Sequence, residues 1–88
     1  MEDFKSTAYF EYIYTNRADR KQIKKEWIIE TIKSPDFEEI QKDRRIRRWK
    51  YIAEAKKFLR VILLEDGETV HNVFFDRSFK RRKQRRKQ

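Results

Sequence analysis

Cysteine is absent from this 88-residue chain. That excludes a disulfide framework, a cysteine-ligated zinc site, an iron–sulfur cluster and a thiol nucleophile, and it suits a reducing compartment. Histidine occurs once, as His71, so one chain cannot build a multi-histidine metal site. Glycine also occurs once, as Gly67, where average usage would give roughly six. Phosphate-cradling loops need glycines where backbone must approach the ligand, so a Walker loop and a dinucleotide-binding turn are both excluded. Long apolar runs are missing too. The longest, Val61-Ile62-Leu63-Leu64, is far short of a membrane span. The start, MEDFKS, lacks the basic-then-apolar order of a secretory leader, and a cytoplasmic location is expected.

Charge is abundant. The chain has 24 Lys and Arg against 15 Asp and Glu, a net charge of +9. Seven of those positive charges lie in the last nine residues, KRRKQRRKQ, which leaves only +2 on residues 1–79. Charged residues make up 44% of the chain, a level that suggests disorder, but aromatics make up 15%, and disordered chains are poor in aromatics. The expected organisation is one folded domain over 1–79 followed by a disordered basic tail over 80–88. A core of this size is marginal, so a dimer or a hetero-complex is expected to help.

Ser6 or Thr7 is placed to cap a helix running to about Tyr14, although its aromatic density also permits a strand. A link over 15–20 follows. A second helix is expected from about Arg20 to Lys33, with Ile23, Trp27, Ile28, Thr31 and Ile32 as its apolar stripe. Pro35 ends it, because the residue before a proline is pushed out of helical geometry. Phe37 and Ile40 begin an extended segment. Three strand signals come next, at 45–52, 57–64 and 69–76. Together these predict an α+β fold, with two N-terminal helices on one face of a three- or four-stranded antiparallel sheet.

Asp66-Gly67 between apolar runs is a strong hairpin signal. Taken as a two-residue loop, it pairs Leu64 with Thr69, Ile62 with His71 and Arg60 with Val73. Leu59, Val61, Leu63, Val70, Asn72 and Phe74 then form the core face. Phe58, Arg60, Ile62, His71, Val73 and Phe75 form a mixed face, with Arg60 and His71 near each other. One bulged residue would break this assignment. The register of 45–52 stays open: either Arg45, Arg47, Trp49 and Tyr51 join the mixed face, or Ile46, Arg48, Lys50 and Ile52 do.

The densest internal charge cluster is 42–50, with six positive charges and one negative. Arginine suits phosphate through its planar fork of donors. Trp49 and Tyr51 are interleaved with these cations and are candidates to stack on unpaired bases. This points to RNA contact by Arg45, Arg47, Arg48, Trp49 and Lys50. The same run would serve equally as a charged edge strand that resists aggregation. His71 beside Arg60 would be a proton shuttle near pH 7. Arg77, next to Asp76, would reach a phosphate or simply pair with its neighbour. No cofactor or metal is expected.

Three stretches also carry a family resemblance: Glu26-Trp27-Ile28 with Pro35, RIRRWKYI at 45–52, and KFLRVILLEDGETVHNVFFDRSFK at 57–80. They resemble a family of small bacterial domains that is distantly similar to the BrnT-type and RelE-type toxins of toxin–antitoxin operons. The resemblance implies a RelE/BrnT-like fold and a metal-independent ribonuclease acting on messenger RNA, often at the ribosome. A small antitoxin would cover the basic face. Carried over by position, Arg60, His71 and Arg77 become the catalytic candidates, beside the basic residues of 45–50. Some members of that superfamily poison DNA gyrase instead. The competing expectation is a non-enzymatic module that binds an acidic partner protein.

Overall fold

The computed structural model describes residues 4–79. The basic tail expected at 80–88 lies outside the described residues. Within them the helices are α1 (Ala8–Asn16), α2 (Ala18–Lys21) and α3 (Lys25–Lys33). The strands are β1 (Phe37–Ile40), β2 (Ile46–Ile52), β3 (Lys57–Leu63) and β4 (Val70–Phe75). The four strands form one antiparallel sheet in the order β1-β2-β3-β4. The α+β class and the helices-then-sheet order match the expectation.

Thr7 caps α1: its hydroxyl accepts from the Phe10 amide at 3.1 Å, satisfying one of the donors a helix start leaves unpaired. Phe10 and Ile13 are buried, while Tyr9 and Tyr12 face outward. The single second helix expected from Arg20 to Lys33 is instead two helices with a break at 22–24. Ile23 explains the break. It is buried in the core between α2 and α3, and its carbonyl accepts from the Tyr14 hydroxyl at 2.7 Å, a bond that holds the chain in a turn there. Ser34 ends α3 just ahead of Pro35.

The sheet has a core on each face. The helix side buries Phe10, Ile23, Ile28, Ile52, Leu59, Val61, Leu63, Val70 and Val73. The opposite side buries Trp49, Phe58 and Phe79, with Phe37 packed against them. Phe79 ends a helical turn, 77–79, that folds back over this second face.

The β3–β4 connection departs from the expected two-residue loop. Leu64 still pairs with Thr69 (amide to carbonyl, 2.9 Å), and Gly67 sits at φ +71°, where a side chain would be strained. Asp66 locks the turn by accepting from the amides of Glu68 and Thr69, both at 2.9 Å, and from the Thr69 hydroxyl at 2.6 Å. These bonds, the Thr69 hydroxyl foremost, hold its carboxyl down to about 2. Beyond the turn Leu63 pairs with Val70, but Ile62 pairs with Asn72, so His71 is the extra residue of a β-bulge. The expected Ile62–His71 and Arg60–Val73 pairs are therefore replaced by Ile62–Asn72 and Arg60–Phe74. The cause is burial. Val70 and Val73 are both completely buried on the helix side, and strict alternation cannot place residues three apart on one face. The bulge shifts the phase so that both valines reach the core and Asn72 and Phe74 turn to the other face.

The far edge of β4 is partly covered. Residues 5–7 run beside it in a parallel bridge, with Thr7 donating to the Val70 carbonyl at 3.0 Å and Val70 donating to the Lys5 carbonyl at 2.8 Å.

Candidate nucleic-acid interface

The register of β2 follows from its pairing with β3. Ile46, Arg48, Lys50 and Ile52 lie on the helix side, and Arg47, Trp49 and Tyr51 on the opposite side. Tyr51 packs edge-on against Phe58 and stays 41% exposed, and the other basic and aromatic residues singled out in the sequence divide into three groups.

The first group is Arg48 and Lys50, at the C-terminus of α3. Arg48 Nη1 donates to the Ile32 carbonyl at 2.9 Å and its Nε to Glu38 at 2.7 Å. Lys50 Nζ donates to the Ser34 carbonyl at 2.9 Å. A helix C-terminus leaves unpaired carbonyls and a partial negative charge, and two strand cations satisfy both here.

The second group surrounds Asp76 and is half predicted. Sequence neighbourhood suggested an Asp76–Arg77 partnership, but the acid faces Arg60. Arg60 Nη2 lies 3.1 Å from Asp76 Oδ2, which also accepts from Trp49 Nε1 at 3.0 Å. Asp76 Oδ1 accepts from the Ser78 hydroxyl at 2.9 Å and the Phe79 amide at 3.2 Å. Burial alone would raise this carboxyl. The hydrogen bonds from Trp49 and Ser78, the Arg60 charge and the Phe79 amide outweigh it and hold the carboxyl below the ordinary aspartate value. The Arg60 guanidinium lies over Phe74 at 4.6 Å. The Trp49 ring stacks on Phe79 at 4.5 Å and is only 2% exposed, so it faces protein rather than solvent. Arg77 is exposed at the start of the helical turn.

The third group lies at the end of the sheet nearest the β3–β4 turn and holds Arg45, Arg47 and His71. Arg47 stands in one row with Ile62 and Asn72 on the face opposite the helices, and its guanidinium meets Glu39 at 3.5 Å. Arg45 leads into β2 and is exposed. Bulging takes His71 away from Arg60 and turns it to α1. Its Nδ1 is 3.1 Å from Thr7 Oγ1, and the Tyr9 ring stacks on its imidazole at 5.0 Å and 28°. Burial, reinforced by the positive charge of Arg45, lowers the His71 pKa from its ordinary value and so favours the neutral ring. The expected Arg60–His71 pair is not formed: Arg60 belongs to the second group and His71 to the third.

Sequence reasoning missed Thr7 and Tyr9 as neighbours of His71, and Asp76 as the hub of the second group. The sequence did hold a signal for the hub, since an aspartate that ends a strand three residues before a phenylalanine amide is a helix-capping pattern. Among the described residues, no group of three or more His, Asp or Glu side chains is placed to hold a metal ion. No helix among them is long and apolar enough to cross a membrane. Searches of family models, curated proteins and solved structures found no match for this chain.

Proposed function

We propose that this chain is a toxin-like RNA-binding protein of the RelE/BrnT kind, which grips the phosphate backbone through Arg45 and Arg47 and cuts it with His71. The carrying observation is the third group: two arginines and the histidine at one end of the sheet. The sequence supplies a further attraction, because the seven cations of 80–88 follow directly on Phe79, whose ring is seated on the same face as Arg47. Such a charge array favours polyphosphate ligands whatever their sequence.

The chemistry needs no cofactor. In the tautomer that carries its proton on Nδ1, toward Thr7 Oγ1 3.1 Å away, the Nε2 lone pair of His71 takes the proton of a 2′-hydroxyl. The 2′-oxygen attacks the adjacent phosphorus, the bond to the 5′-oxygen breaks, and that oxygen leaves with a proton from solvent. Arg45 and Arg47 stabilise the charge that builds on the phosphate. Arg60, tied to Asp76, positions Phe74 and the C-terminal turn in this scheme. Arg77 is left as a backbone contact. An acidic antitoxin-like partner would neutralise the same cations.

The test is an unstructured RNA incubated with the full chain across pH. Cleavage should rise with pH and level off below the ordinary histidine value, as expected for a base that acts when unprotonated. His71→Ala should abolish cleavage and keep binding, and Arg47→Ala should weaken binding. RNA that is bound but stays intact would remove the nuclease part of the reading, and RNA that does not bind would remove all of it.

One observation favours the second reading, a module for a partner protein. A groove of about 850 Å³ is lined by Phe4, Ala8, Ile29 and Ile32 together with the charged Lys5, Lys33, Glu11 and Glu68. Tight complex formation with no RNA turnover would favour this alternative.

A further inference from the structure

Tyr9 and Tyr12 are the exposed aromatics of α1, 50% and 65% accessible. Large exposed rings are normally explained by core packing on one side, but neither belongs to a core cluster. Tyr9 differs from an ordinary surface tyrosine in being fixed. Its ring lies on His71, whose own position is set by the bulge and by the Thr7 hydroxyl that caps α1. A ring already immobilised by stacking loses little conformational freedom when a ligand arrives. The charge beside it is positive, from Arg45 acting on His71.

We infer that Tyr9 is the stacking platform for one unpaired nucleobase, and that the ligand of this face is therefore single-stranded RNA. The inference rests on the RNA-binding reading above and names its substrate class. Every base has a flat π-surface, so such a platform accepts any base but only where the strand is unpaired. In a duplex the base faces are covered by their neighbours and cannot lie on Tyr9. The alternating demand of the site is then clear: Arg45 and Arg47 take backbone phosphate, and the Tyr9–His71 stack takes the adjacent base. This arrangement would also hold the sugar between them close to the His71 ring.

The experiment measures binding of the full chain to a ten-nucleotide unstructured RNA carrying 2-aminopurine, and to the same strand in a duplex. The single strand should bind at least tenfold more tightly than the duplex, with 2-aminopurine fluorescence quenched at one position. Tyr9→Ala should weaken single-strand binding by about tenfold or more, abolish the quench and leave duplex binding unchanged. Tyr9→Phe should keep both affinity and quench. Tyr9→Leu retains bulk without a π-face and should behave as the alanine variant, which separates stacking from a packing defect. If Arg47→Ala weakens single-strand binding while Tyr9→Ala leaves affinity and quench intact, the platform is overturned and the RNA reading stands. If the wild-type chain binds neither RNA, both fall.

Discussion

Asp76 accepts three hydrogen bonds, from Trp49, Ser78 and Phe79, and pairs with the Arg60 charge, while only 6% exposed. Removing one member of a buried ion pair leaves the other charge unsatisfied, a cost of about 3 kcal/mol or more. Asp76→Ala should therefore destabilise the domain by about 3 kcal/mol in urea unfolding, and Asp76→Asn should cost less because it keeps acceptors for Ser78 and Phe79. The same groups fix the acid response. Asp76 and Asp66 both titrate below their ordinary range, Asp66 at about 2. Their stabilisation is present above the unfolded-state value and disappears as pH falls through the folded one. Stability measured by urea unfolding should hold down to about pH 4 and drop between about pH 4 and 2. The Asp66→Asn variant should show a shallower drop.

Helix α3 ends on side chains supplied by β2, so the two elements share a fate. Arg48→Ala and Lys50→Ala should each lower stability by about 1 kcal/mol by unpairing the Ile32 and Ser34 carbonyls. Neither should reduce RNA affinity, in contrast to Arg47→Ala on the other face. This divides a run of like charges that sequence reads as one cluster. The strands themselves were legible to within a residue, because their apolar and β-branched content contrasts with polar turns. The register of β2 was not, because Ile46, Arg48, Lys50 and Ile52 alternate with residues of similar character and only pairing with β3 decides between the two sets. The β4 register was readable in principle, since two valines three apart cannot both be buried without a bulge, but a two-residue Asp-Gly loop was the simpler pattern. The break at Ile23 was hidden because an apolar residue at helical spacing looks the same whether it lies on a helix or between two.

At the scale of the whole molecule, the proposal places function at the end of the sheet nearest the β3–β4 turn, where the face opposite the helices carries Arg47 and His71 reaches Tyr9 of α1. RNA affinity should fall steeply with salt, and Arg47→Ala should reduce the logarithmic slope by roughly 0.7, the share of one single-strand phosphate contact. Filter binding across a salt series measures this. The candidate site was only partly legible: the foreseen Arg45 lies close enough to His71 for its charge to act on the ring, Arg47 stands in the row of Asn72 and pairs with Glu39, and Arg60 and Trp49 are committed to Asp76 and Phe79. Side chains far apart in sequence chose these partners, and no local pattern records that choice. The strap of residues 5–7 along β4 carries one more consequence, for the order of assembly. The first helix is capped by Thr7, and Thr7 is held by Val70 and His71, near the other end of the domain. During synthesis α1 has no docking surface until β4 has left the ribosome. The domain should then form in one late, cooperative step, and nascent chains arrested before residue 70 should stay sensitive to protease throughout.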